Sequence, residues 1–287
     1  MKRWLLLFLV LSGGFSASAQ TTGSSVPDNP SVFQWRAEKF DFGTHPENLF
    51  SKRSLLLAKD DFNYVLTAPL RWEKQDWLDV GTSVVLIAGS SFNDGSTRKE
   101  AQEERHIGDN QTKRFQEFGA MYSWFVLGLF EAYGTATGSA RPKAVAFDGF
   151  VAAGIASGVV APVIKYSVGR ERPNKTESTF KFRPFSGNYS FPSGHTTQAF
   201  AVASVISAHY NQWWIKGAAY GIAGCVGYSR IQQNAHFASD VVAGALIGYS
   251  VGRTVVRHNN QSAEKTSVLW SPCFFEKAAG IQFRKNY

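Results

Sequence analysis

Three observations predict an all-α helical bundle. Five apolar segments rich in Gly, Ala, Ser and Val cover residues 119–137, 144–168, 196–210, 215–228 and 239–257, and each is long enough for a helix. No convincing alternation of apolar and polar residues competes with them for a strand reading. Their small side chains let neighbouring helices approach closely, as a bundle requires.

The chain has 287 residues, which suits one domain with a short preface, and its 44% hydrophobic and 18% charged residues mark an ordered globular protein. Thirty basic against 22 acidic residues give a net charge of +8, which favours anionic partners. Without a basic run interleaved with aromatics, nucleic acid is not an expected partner. An anionic substrate or membrane surface explains the charge more simply.

Residues 1–19 read as a secretory signal. Lys2 and Arg3 supply the positive start, Trp4 to Leu11 the apolar stretch, and Ala17-Ser18-Ala19 the small-residue cleavage pattern. Residues 20–70 are expected to form a leader and an irregular extension, the first part flexible and the rest short helices or irregular chain over the core. The helical domain is expected over 71–257. It begins with a helix over 76–89, where Trp77, Val80, Val84 and Ile87 keep helix-like spacing. A turn at 90–99 around Asn93-Asp94-Gly95 follows, then a charged, solvated helix over 99–118. The tail, 258–287, is expected to add a short extended piece.

These segments read as buried helices of a soluble bundle in preference to membrane spans, with surface or integral association as the alternative. The longest charge-free run among them, 149–164, has 16 residues against the roughly 20 that a span needs. Mean hydropathy is −0.18. Cys225 lies in an apolar run where a buried free thiol is common, so pairing with Cys273 is not expected.

Three polar clusters stand at the ends of apolar helices. Lys165 and Arg172 are seven residues apart, which on a helix is nearly one face, and Pro173 ends the helical geometry there. An ammonium and a planar guanidinium together neutralise a dianion. Phe191 to His195, Phe-Pro-Ser-Gly-His, opens a helix whose first N–H groups and dipole favour an anion, with Gly194 permitting close backbone approach. Ser229-Arg230 is followed by His236 and Asp240, four residues apart, where a carboxylate fixes the imidazole tautomer. Together these residues describe a cationic pocket with one imidazole backed by a carboxylate and one not. That division suits a covalent mechanism in which one histidine attacks phosphorus and the other serves as acid, then base. The residues alone do not decide which histidine attacks, although the Asp240 spacing favours His236.

Lys-x6-Arg-Pro, Pro-Ser-Gly-His and Ser-Arg-x5-His-x3-Asp, in this order, resemble the three motifs of the type-2 phosphatidic acid phosphatase and vanadium haloperoxidase superfamily. All three are complete within residues 165–240, and with flanking helices the resemblance covers roughly 70–257. It implies a helical bundle and phosphate-ester hydrolysis without a metal or other cofactor. It implies His236 as nucleophile, Asp240 as its orienting partner and His195 as general acid. Lys165, Arg172 and Arg230 would bind phosphate oxygens, helped by Ser193 and the Gly194 N–H. His45, His106, His209 and His258 match no motif and read as structural or surface residues.

The expectation is therefore an exported phosphatase of the periplasm or cell envelope, forming a phosphohistidine on a phosphorylated lipid or small phosphomonoester. A vanadate-dependent haloperoxidase and a non-catalytic phospholipid-binding module are the alternatives. Selectivity is expected in the 99–118 helix and the 176–189 loop, where Phe180, Phe182, Arg183 and Phe185 would make an apolar, basic rim.

Overall fold

The structure, a computed structural model, describes residues 45–46, 49–104, 108–266, 268–275 and 278–285, with side chains up to residue 260. The expected signal segment, most of the leader, His106 and the Cys273 side chain lie outside that set. Cys225 is a free thiol.

Local signals set the helix ends. α1, Lys52–Leu66, starts where the Ser51 hydroxyl accepts the Ser54 N–H at 3.1 Å. α2, Lys74–Ser91, starts with a capping box in which Asp76 accepts the Glu73 N–H at 2.9 Å. α3 (Asp94–Glu103), α4 (Asp109–Phe118) and α5 (Met121–Thr137) follow, the last closed by Gly138 in the left-handed conformation. α6 (Ala140–Ile155) runs through one π turn, Ala156–Val160, into α7 (Ala161–Val168), which Gly169 ends at φ +60°. α8 (Gly194–His209), α9 (Trp213–Gln232) and α10 (Ala238–Thr266) complete the bundle. A two-stranded antiparallel ribbon closes the described chain, β1 (Val268–Phe275) with β2 (Ala278–Lys285).

α8 is the axis of the bundle. It is buried along most of its length and packs against α6, α9 and α10 around Val145, Ile155, Val205 and Val255. Its approach to α10 depends on Gly244, Gly248 and Gly252, spaced every four residues on one face. A Cβ at these positions would lie 2.6 Å from Ser193 O, 2.2 Å from Thr197 O and 2.7 Å from Ala201 O respectively. Backbone-to-backbone packing of this kind brings the N-terminus of α8 beside the N-terminus of α10.

The bundle is all-α as expected, but several segments differ in detail. The stretch over 20–70 contains a 15-residue helix, α1. Asp94, expected in a turn, opens α3, because its carboxylate sits in a buried ion pair that holds that end of the helix. The charged helix over 99–118 is two helices, α3 and α4. The last helix continues past 257 to Thr266 before the expected extended piece begins.

Preference for a soluble bundle finds no support. Trp77, Leu78, Val84 and Val85 on α2 are more than half exposed, as are Met121, Phe125, Leu129 and Tyr133 on α5 and Trp213 and Trp214 on α9. These are apolar stripes turned outward. The continuous rod Ala140–Val168, with a mean hydropathy of 1.8 in its most apolar window, has by length and composition what a membrane crossing needs. Two of the charges that border or break the apolar runs lie inside the bundle: Asp148 is wholly buried and Arg253 nearly so.

Candidate active site

The site forms at the N-terminal mouths of α8 and α10 and the C-terminal ends of α7 and α9. Helix α7 stops at Val168, so Lys165 and Arg172 do not share a helix face as seven-residue spacing suggested. Arg172 is extended, at the start of a short 3₁₀ turn, Pro173–Lys175. Gly169 makes the bend, since a Cβ there would sit 1.8 Å from Arg183 O. The 176–190 loop is then stitched back onto this bend. Arg183 N donates to Gly169 O at 2.9 Å, Glu171 N to Lys181 O at 3.0 Å and Ser190 N to Arg170 O at 3.0 Å.

Lys165 reaches across to the turn before α8, where its ammonium donates to Tyr189 O at 2.9 Å and to Pro192 O. Phe191-Pro192 is a cis peptide. Ser193 is wholly buried; its N–H is held by Asp240 O at 2.9 Å, and its hydroxyl accepts from Thr196 at 2.9 Å. That N–H is therefore committed to protein, leaving the Ser193 hydroxyl proton and the Gly194 end of the helix to face an anion. Gly119 lets the α4–α5 corner lie against His195: a Cβ there would meet His195 O at 2.7 Å and its Cβ at 2.9 Å. From α4, Gln116 Oε1 accepts from Arg230 at 2.6 Å, and Gln233 Oε1 accepts from the same nitrogen at 2.5 Å.

His236 and Asp240 are not on one helix face. His236 lies in the α9–α10 connection, two residues before α10, and Asp240 is in its first turn. The Asp240 carboxylate caps the helix by accepting the Phe237 N–H at 3.0 Å. Its Oδ2 also accepts Ser190 Oγ at 2.6 Å and lies 3.6 Å from His236 Nδ1, an electrostatic contact slightly longer than a hydrogen bond. The carboxylate therefore faces Nδ1 and leaves Nε2 as the nitrogen turned away from it.

Two residues outside the three motif patterns complete this arrangement. Arg170, 2% exposed, donates to Asp240 Oδ1 at 2.7 Å and to Asp94 Oδ2 at 2.7 Å. Asp94 in turn accepts the Ser239 N–H at 2.9 Å and the Ser239 hydroxyl at 2.6 Å. The Arg170 guanidinium is sandwiched by aromatic faces, 4.2 Å from Phe237 and 5.4 Å from Phe182. Asp94 thus ties α3 to the start of α10 through Arg170. The available sequence signal was weak: Arg170 stands in Gly-Arg-Glu-Arg between two motif residues, and Asp94 is 76 residues away from it.

The charges act on one another. His195 is pushed down to about 4 by its burial, then by Arg230, His236, Lys165 and Arg172. His236 is also lowered to about 4; burial is the main cause, Asp240 opposes it, and Lys165 and Arg230 add to it. Burial pushes Asp240 up, but His236 and Arg170 outweigh it and hold the carboxyl below its ordinary range. The site is thus two neutral imidazoles, one carboxylate and three cations within electrostatic reach of one another. Such an arrangement holds a tetrahedral dianion while presenting an unprotonated nitrogen to it.

A helical bundle that gathers two histidines, a carboxylate and three cations at its helix mouths has similar proteins among those already known. The model of the PAP2 superfamily matches residues 149–263, the stretch that holds all three polar clusters. The chain is 42% identical over 90 residues to a lipid A 1-phosphatase of Porphyromonas gingivalis, a match covering 31% of this chain and 18% of that one. It is 29% identical over 197 residues to a lipid A 1-phosphatase of Rhizobium johnstonii, covering 63% of this chain and 78% of that one. A crystal structure of a transmembrane PAP2-type phosphatidylglycerolphosphate phosphatase from Bacillus subtilis is similar at a TM-score of 0.46 and 23% identity, covering 65% of this chain and 94% of that one.

Proposed function

We propose that the protein is a phosphatase that removes a phosphate monoester from a lipid headgroup through a phosphohistidine, working from a bundle seated in a membrane of the cell envelope. The single observation that carries the chemistry is that His195, His236 and three cations lie within electrostatic reach of one another, with Asp240 behind His236 only.

In this reading Lys165, Arg172 and Arg230 hold the non-bridging oxygens, with the Ser193 hydroxyl and the start of α8 adding donors. Nε2 of neutral His236 attacks phosphorus in line with the ester oxygen. The P–O bond to the lipid breaks as the P–N bond forms, and His195 gives its proton to the departing alkoxide. The negative charge of Asp240 stabilises the His236 ring as it becomes cationic. In the second half, His195 takes a proton from water, the resulting hydroxide attacks phosphorus, and the P–N bond breaks to return neutral His236 and inorganic phosphate. His195 must be protonated for the first step although the cations depress it. A bound phosphate dianion offsets those cations and raises it.

The lipid part of the reading has two supports. The relatives named above are lipid A 1-phosphatases, so a phosphorylated glycolipid is the substrate class to try first. Beside the site, an apolar groove of about 310 Å³ is lined by Val84, Ile87, Phe180, Phe182 and Phe191, next to Arg170 and Ser239, and suits an acyl chain. The outward apolar side chains of α2, α5 and α9 and the rod Ala140–Val168 support the membrane seat.

The test is phosphate release by the detergent-solubilised chain from a lipid 1-phosphate in mixed micelles and from a soluble aryl phosphate. The proposal expects turnover of the lipid, preferred over the aryl ester, and none in His236→Ala. Equal turnover in that variant, or binding without release, overturns it.

A further inference from the structure

Away from the catalytic mouth, a second group of histidines and acids is buried at the opposite end of α8. His209 is fourteen residues beyond His195, about 21 Å at the rise of a helix. Its Nε2 lies 2.7 Å from Oδ2 of Asp148, a wholly buried carboxylate in the middle of α6. His45, from the chain ahead of α1, also turns Nε2 to this carboxylate, 3.2 Å from Oδ1 and 3.3 Å from Oδ2. One ligand atom from each of the three side chains falls within 4.8 Å of the others.

We propose that His45, Asp148 and His209 form a structural binding site for a zinc-class divalent cation. Charge-assisted hydrogen bonds normally run at about 2.7–2.9 Å. His45 instead straddles both oxygens at distances that match a different object. A tetrahedral ion with bonds of about 2.0 Å separates its ligand atoms by about 3.3 Å. The His209 contact is shorter and would open by about half an ångström to admit the ion. Two imidazole nitrogens and one carboxylate oxygen suit zinc, cobalt or nickel, whereas magnesium and calcium take oxygen ligands.

Outer partners are also in place. Asn259 Nδ2 donates to Asp148 Oδ1 at 2.8 Å and to Asp61 Oδ2 at 3.2 Å. Asp61 pairs with His258 Nδ1 at 2.7 Å, and the His258 ring stacks on Tyr64 at 4.0 Å. This network would orient the Asp148 carboxylate toward the ion, as outer partners of metal ligands do. A water molecule would complete a four-coordinate shell around the three protein ligands. The three ligands come from widely separated parts of the chain, so an ion here would fasten the segment at residue 45 to α6 and α8. Its distance from His195 separates it from the phosphate chemistry.

The experiment uses the full chain without a histidine tag, in detergent, stripped by chelator and titrated with zinc against a competing chromophoric chelator. Cobalt substitution reads the ligand set from its visible absorption. The expected result is one ion per chain, a four-coordinate cobalt spectrum and a rise in melting temperature on loading. His209→Ala should weaken binding by about 10-fold or more, whereas His236→Ala should bind unchanged. If His209→Ala does not fold, His45→Ala, ahead of the first helix, reads the same loss. No zinc taken up by the wild-type chain, or full stoichiometry retained in both His45→Ala and His209→Ala, overturns the proposal.

Discussion

The two ends of α8 carry the same side chains in different electrostatic surroundings. At its N-terminal end, His195 and His236 lie among Lys165, Arg172 and Arg230, and the nearby carboxylate, Asp240, has both its oxygens engaged by Arg170, Ser190 and Phe237 N–H. Burial is the main cause that holds the imidazoles neutral there, the cations add to it, and because cations outnumber anions an anionic ligand is what the site lacks. At the C-terminal end, His45 and His209 lie with Asp148, and Asp61 is one residue further out through Asn259. Two carboxylates are buried there among three imidazoles, His45, His209 and His258, and a bound cation would replace imidazole protons as the partner of Asp148. A histidine beside an aspartate is therefore not a function in itself; the surrounding sign of charge decides what it can hold.

The largest expected effect breaks this contrast at one end only. His236→Ala should lower turnover by about 10⁴-fold or more while the melting temperature stays close to wild type. Asp148→Asn should do the reverse, costing about 3–5 kcal/mol of stability by leaving buried partners unpaired with turnover per folded molecule nearly unchanged. Steady-state kinetics paired with thermal melts separate the two.

His195→Ala comes next, at about 10²–10⁴-fold in kcat on a lipid ester. The deficit should shrink for an aryl phosphate, whose leaving group needs less help from an acid. An equal deficit on both substrates would remove the general-acid role. Arg170→Met should act through Asp240, lowering kcat with KM little changed and also reducing stability, since it leaves Asp94 and Asp240 buried without their cation.

A smaller effect concerns pH. His195 is depressed to about 4 mainly by burial and next by Arg230, so the alkaline limb set by its protonation should lie at higher pH in kcat than in kcat/KM, because bound dianion offsets the cations. Arg230→Gln should raise that limb in kcat/KM. The acid limb, set by protonation of His236, should lie near pH 4, well below an ordinary histidine. Smallest of all, replacing Phe180 and Phe182 by Ala should cut the preference for lipid over aryl phosphate severalfold and leave aryl turnover alone; an unchanged ratio would take the groove out of the account.

Much of the proposed catalytic end was legible in the sequence because its groups come in short runs at helix mouths. Pro-Ser-Gly-His announces an anion-friendly helix start, and His236 with Asp240 announces an oriented imidazole, although the real geometry is a loop residue beside a capping carboxylate. Arg170 and Asp94 were not legible as a pair, because only the fold brings α3 against the 166–171 bend. His45, Asp148, His209 and Asn259 lie on four separate segments with no spacing to mark them. The soluble reading of the bundle lost its support for a related reason. Charges such as Asp148 and Arg253 interrupt the apolar runs and argue against a membrane when counted along the chain. In the fold they face inward and the apolar stripes of α2 and α5 face out, which hydropathy along a line does not distinguish.

The central claim is a covalent bond from phosphorus to His236. The most direct test is to quench His195→Ala during turnover of a ³²P-labelled aryl phosphate in alkali, where phosphohistidine survives, and to map the label. With a good leaving group the first step needs little acid, while the second lacks its base, so label should accumulate toward one per chain on the peptide carrying His236. Turnover without trapped label, or label on any other residue, would contradict the account.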